Sequence, residues 1–274
     1  MSWFTQFLTS SIGRKLLMSL TGLFLIVFLL VHLVGNIQLL TDPTGVSFNE
    51  YAQFMTTNPV IKFTSYGLYF FILLHIVQGL IIWSKNRAAR GGHDYDVKVT
   101  RAVNTNGNIA KRMGALGSII MVFLGLHMYQ FWYKMHWQLE PDQSNGVKDL
   151  YSLVDTTYQD PIYVAIYVIS MIVIAFHLWH GFQSGFQTLG LRHVKYTTFV
   201  SLASKALAIA FIVGFASMPL YMMARFGIAN GFEEAAEIVK RKSIEADVEW
   251  KVADWGNIDR ARSWEELETS AVVE

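Results

Sequence analysis

The stretch LLMSLTGLFLIVFLLVHLVGN (residues 16–36) contains no charged residue and places one histidine, His32, near the end of an otherwise apolar run. Arg14 and Lys15 precede it directly, as in a signal peptide. The apolar block nevertheless continues for roughly 25 residues without a small-residue cleavage site, so it reads as a retained membrane span. At about 1.5 Å of rise per residue it is long enough for a hydrocarbon core of about 30 Å. Outward from this block (15–40), four more of sufficient length follow at 60–84, 112–137, 161–188 and 197–226. Pro59 and Pro161 fall in the first turn of the second and fourth, where the ring costs a helix least. The fold class implied is all-α, an integral membrane bundle of five transmembrane helices.

Composition points the same way. Hydrophobic residues make up 53% of the chain and charged residues 16%, and the apolar residues come in long blocks instead of stripes. A net charge of +1 with no extended basic face argues against nucleic acid as a partner. The absence of cysteine excludes disulfides, thiolate-held iron–sulfur clusters, covalently attached c-type haem and a thiolate haem ligand. A metal centre in this chain must therefore hang on histidine.

Lysines and arginines set the orientation. Arg14 and Lys15, then Lys85, Arg87, Arg90, Lys98, Arg101, Lys111 and Arg112, then Arg192 and Lys195 all fall on one side of the five-span topology. The opposite loops, 41–59 and 138–160, contribute only Lys148, with Lys62 and Lys134 just inside the flanking helices. The bias predicts a cytoplasmic N-terminal segment (1–14), a five-helix membrane domain (15–226) and an outer C-terminal tail (227–274) of mixed charge.

Within this topology His32, His75, His127 and His177 lie in four different spans. An ionisable residue inside a membrane is costly and points to function. One histidine per helix on four helices reads as the axial ligand set of two haems. Counted from the cytoplasmic helix ends, His32 and His127 are level at roughly 23 to 26 Å, and His75 and His177 are level at roughly 14 to 17 Å. Two bis-histidine centres stacked along the membrane normal, about 10 Å apart by this arithmetic, suit electron transfer across the bilayer. Gly79 and Gly181 each follow a ligand by four residues, an H-x-x-x-G spacing that gives a flat macrocycle room or lets helices pack closely. His180 lies three residues from His177 on nearly the same face, so it stands as the alternative fourth ligand or as a partner to a propionate. His93, His136 and His193 fall in loops or at the interface. Glu50 and Tyr51, in the outer loop, are either surface polar residues or proton carriers at a quinone pocket, with Glu50 the candidate catalytic residue.

HLVGN around His32, LLHIVQG around His75, LGLHMYQ around His127 and FHLWHGFQSGF around His177 together resemble the single-subunit, five-helix, di-haem cytochrome b558 membrane anchor of succinate dehydrogenases and quinol:fumarate reductases. The resemblance covers residues 12–226. It implies two haem b groups, a high-potential one at His75 and His177 nearer the cytoplasm and a low-potential one at His32 and His127. It further implies a quinone acceptor of the menaquinone type, a flavoprotein subunit and an iron–sulfur subunit docked on the basic loops, and a bacterial cytoplasmic membrane. Where fumarate reductases of this type have a carboxylic acid near the fourth-helix ligand, this chain has Ala175, which favours succinate oxidation or leaves the direction open. The tail beyond Arg225 exceeds the usual anchor and inherits nothing. The cytochrome b of another respiratory complex, a hydrogenase or formate dehydrogenase, is the competing assignment. Such subunits commonly take their ligands from fewer helices.

Overall fold

The computed structural model describes residues 2–90, 107–142, 146–191 and 193–257. His93, Lys98, Arg101, Arg192 and the end of the tail lie outside the described residues. Ten α-helices are present among those described: α1 (Trp3–Thr9), α2 (Ser11–Asn36), α3 (Gln38–Thr41), α4 (Val46–Thr57), α5 (Pro59–Arg90), α6 (Gly107–His127), α7 (Lys134–Trp137), α8 (Leu150–Thr157), α9 (Pro161–Thr188) and α10 (Val194–Asn257). Five helical segments are long and apolar enough to cross a membrane: Ser11–Thr41, Pro59–Ala89, Ile109–Trp137, Pro161–Thr188 and Lys195–Gly231.

Side-chain caps start the spans. The Ser10 hydroxyl accepts the Gly13 N–H at 3.0 Å at the head of α2, and Asn58 Oδ1 accepts the Val60 N–H at 3.0 Å at the head of α5. Asp160 Oδ1 accepts the Ile162 N–H at 2.8 Å beside Pro161, the first residue of α9. Each satisfies a donor that the first helical turn leaves unpaired. The third span departs from a simple helix, because α6 passes at Met128–Tyr133 into a π-helical turn before α7.

Four spans close into a ring. Helix α2 packs against α5 and α9, and α6 against α9 and α5. The membrane part of α10 joins through Phe211, buried with Ile26 of α2 and Leu178 of α9. Phe63, Val122 and Ile169 are exposed and outside the cavity lining, a distribution that suits lipid and would be a liability in water. By contact the chain divides into two compact units, Met1–Met223 and Ala224–Glu274, the second helical through Asn257.

The loops at 41–59 and 138–160, read from sequence only as connections, build a cap from α4 and α8. Asn49 donates to Asp149 Oδ1 at 2.9 Å and accepts the Tyr151 N–H at 2.8 Å, while the Tyr151 hydroxyl donates to the Pro43 carbonyl at 3.1 Å. Gly45 has a φ of 75°, and the Tyr151 ring occupies the space where a side chain at residue 45 would stand. Phe48, Tyr151, Val154 and Tyr158 of the cap share one buried cluster with Tyr167, Met171 and Met222 of the spans.

Candidate functional site

The four-helix ring lines a partly open cavity of about 1920 Å³. That is roughly twice the upper end of the ~300–1,000 Å³ found for pockets that hold one drug-sized ligand. It runs from Lys15, Trp83 and Lys111 at one end to Phe48, Tyr51 and Leu150 at the other, and His32, His75, His127, His177 and His180 all line it.

The histidines meet in twos. The rings of His32 and His127 have centroids 5.9 Å apart at 90°, and those of His75 and His177 are 6.3 Å apart at 72°. Two imidazoles bound through Nε2 to one metal, at about 2.0 Å each, have ring centres about 6 Å apart. Both centroid separations are close to that value. None of the four Nε2 atoms has a hydrogen-bond partner among the described residues. The Nδ1 atoms face away: His75 Nδ1 lies 3.0 Å from the Thr21 hydroxyl, His127 Nδ1 3.4 Å from the Tyr167 hydroxyl and His32 Nδ1 3.4 Å from Asn36 Nδ2, while His177 Nδ1 has no partner. Among the described residues no group of three or more histidine or carboxylate side chains could hold a metal ion. Two ligands per site match the two axial positions of a haem iron, whose other four ligands come with the macrocycle, and do not make a tetrahedral zinc site.

Glycines give the lower pair room. Gly79 and Gly181 both line the cavity; a Cβ at Gly181 would meet nothing within 4 Å. Sequence reasoning missed two others. A Cβ on Gly22 would lie 3.3 Å from His75 Cε1, and one on Gly117 3.6 Å from His177 Cε1. Each precedes a histidine of its own helix by ten residues, Gly22 before His32 and Gly117 before His127, and that repeated spacing is the signal that could have found them. The upper pair instead sits among aromatic rings: Phe28 and Phe215 at His32, Phe123, Phe131 and Tyr167 at His127.

Outer-loop candidates separate. Glu50 is exposed on α4 and does not line the cavity. Its neighbour Tyr51 does, with the ring against Gly35, where any Cβ would collide with it. Burial pushes the Tyr51 phenol above its ordinary value, so it stays protonated near neutral pH. His136 donates through Nδ1 to the Trp132 carbonyl at 2.7 Å, His193 accepts the Lys195 N–H at 3.2 Å, and neither lines the main cavity.

No protein-family model matches the chain, and searches of curated proteins and of solved structures return no significant match.

Proposed function

We propose that this chain is the di-haem cytochrome b membrane anchor of a succinate:quinone oxidoreductase, passing electrons from an iron–sulfur subunit to a quinone. The observation that carries the reading is the two histidine pairs lining one cavity, with ring centroids 5.9 and 6.3 Å apart, close to the separation of two imidazoles on one metal. The motifs around the four histidines supply the choice of enzyme.

Haem bound between these pairs would supply a one-electron relay. In this reading His32 and His127 hold one iron and His75 and His177 the other. A haem held by two imidazoles would have no place left on the metal for oxygen or substrate, which would suit electron transfer and disfavour oxygen chemistry. Lys15, Lys111 and His180 line the end of the cavity nearer His75 and His177, where cationic donors suit the carboxylates of a propionate-bearing macrocycle. Phe123, Phe131 and Phe215 give the other pair an apolar, aromatic wall. Tyr51, a protonated phenol at the outer end of the cavity, is placed to give a proton to a reduced quinone; Glu50, exposed and outside the lining, is the weaker candidate. The subunit performs no succinate chemistry itself.

Purification of the chain with its native partners tests the assignment. A flavoprotein and an iron–sulfur protein should copurify, with succinate-dependent reduction of a b-type spectrum. Copurification with hydrogenase or formate dehydrogenase subunits would replace it with the competing cytochrome b assignment.

A further inference from the structure

Among the buried polar side chains of the bundle, Thr21, Tyr167 and Gln130 are each 3% exposed. Two of them touch histidines across the bundle. The Thr21 hydroxyl has a single proton, which it donates to the Leu17 carbonyl at 2.8 Å with the Met18 carbonyl at 3.2 Å. With that proton donated to the Leu17 carbonyl, its oxygen is free to accept from His75 Nδ1, 3.0 Å away. Tyr167 repeats the arrangement: its proton goes to Gln130 Oε1 at 2.7 Å, which leaves the phenol oxygen to accept from His127 Nδ1 at 3.4 Å. Gln130 comes into place in the π-helical turn that begins directly after His127, an irregularity of the kind that often marks functional segments.

We infer that Thr21 and Tyr167 are positioning residues, each accepting the Nδ1–H of one histidine and so holding that ring in the tautomer whose Nε2 lone pair faces the cavity. The pattern is a cross-brace. Helices α2 and α9 carry the braces, and the braced histidines sit on α5 and α6. The histidines on α2 and α9 lack such an acceptor: His32 Nδ1 faces an amide donor and His177 Nδ1 faces nothing. Thr21 precedes His32 by eleven residues and Tyr167 precedes His177 by ten, a rise of about 15 Å, so each bracing helix serves one level with its own histidine and the other level with its hydroxyl. Each histidine pair thus has one fixed imidazole and one that lacks such an acceptor.

This inference rests on the two-haem reading, and it concerns the tuning of each iron. An acceptor on the far N–H makes an imidazole a stronger donor and favours the oxidised metal, so removing it should raise the midpoint potential of that haem alone. The test is an optical redox titration of the purified haem-loaded complex, with haem content measured on the same samples. Thr21→Val should raise the potential of the His75/His177 haem and leave the other in place, Thr21→Ser should restore the parent value, and Tyr167→Phe should raise only the His32/His127 haem. The Thr21 effect should be the larger, because 3.0 Å is a closer contact than 3.4 Å. Loss of one haem in Thr21→Val that Thr21→Ser reverses supports the same assignment, since valine keeps the shape of threonine and serine keeps its hydroxyl. Two haems with unshifted potentials in both Thr21→Val and Tyr167→Phe would overturn the bracing while leaving the two-haem reading intact. A parent complex without haem would overturn both.

Discussion

The two histidine pairs hold nearly the same ring separation in different surroundings. Around His75 and His177 the neighbours are small, with Gly22 and Gly117 against the rings and Thr21 as the polar contact, and this end opens toward Lys15 and Lys111. Around His32 and His127 the neighbours are Phe28, Phe123, Phe131, Phe215 and Tyr167, and the end is roofed by the α4–α8 cap. The cationic end would favour an added electron and the aromatic end offers it no charge, so in the proposed two-haem reading the His75/His177 haem has the higher potential.

The sharpest way to break this comparison is to remove ligands. His75→Ala and His177→Ala should abolish the same one of two haem signals, and His32→Ala and His127→Ala should abolish the other; matching losses between His32→Ala and His75→Ala would end the pairing. In the same set, His180→Ala should retain both haems, and loss of one there with retention in His177→Ala would exchange the fourth ligand.

The glycine-lined end gives the next largest effect. Gly22→Leu would drive a branched side chain against the His75 ring, where even a Cβ sits at 3.3 Å, so it should cost most of the occupancy of that haem and leave the aromatic-walled site loaded. Equal loss at both sites, read as pyridine haemochrome with redox-resolved spectra, would show general misfolding instead.

Much of this was legible in sequence because hydrocarbon permits few solutions. Uninterrupted apolar length yields the spans, and a histidine within one, such as His32, stands out against its neighbours. The depth count pairs His32 with His127 and His75 with His177, the rings whose centroids lie 5.9 and 6.3 Å apart in the fold. Side-chain traffic between helices was hidden: nothing in LLMSLTGLF marks Thr21 as the contact of His75, since that depends on how α2 and α5 rotate against each other. The π-helical turn at Met128 and the outer cap were missed for a related reason. Both depend on long-range partners, Tyr167 for Gln130 and Tyr151 for Gly45, rather than on local pattern. Glu50, read from sequence as either a surface polar residue or a proton carrier, is exposed on α4 and outside the cavity lining, while its neighbour Tyr51 lines the cavity.

Smaller effects belong to the cap, which only the aromatic-walled end possesses. Gly45→Ala forces a side chain into left-handed backbone and into the Tyr151 ring, and should destabilise the cap by more than about 2 kcal/mol, visible as faster proteolysis at residues 41–59. Asp149 adds a pH dependence to the same element. Burial pushes its carboxyl up, but hydrogen bonds from Ser152 and Asn49 outweigh that and hold it below the usual carboxylate range. A lowered folded value means that its contribution is present above the ordinary carboxylate value of about 4 and is lost as pH falls through the lowered one. Proteolysis of the cap should therefore accelerate on acidification, and Asp149→Asn should flatten that dependence. The smallest change is expected from Glu50→Gln, less than about twofold in quinone reduction given its exposure, with Tyr51→Phe the larger of the two. A severe defect in Glu50→Gln alone would return the proton to the carboxylate.

The central claim is that two facing histidine pairs hold two irons, and a reduced-minus-oxidised spectrum of the purified protein with quantified haem tests it most directly. Two low-spin b haems per chain, titrating at separate potentials, are expected. A chain that folds and inserts in the membrane with no haem, or with one that survives substitution of all four histidines, would contradict it.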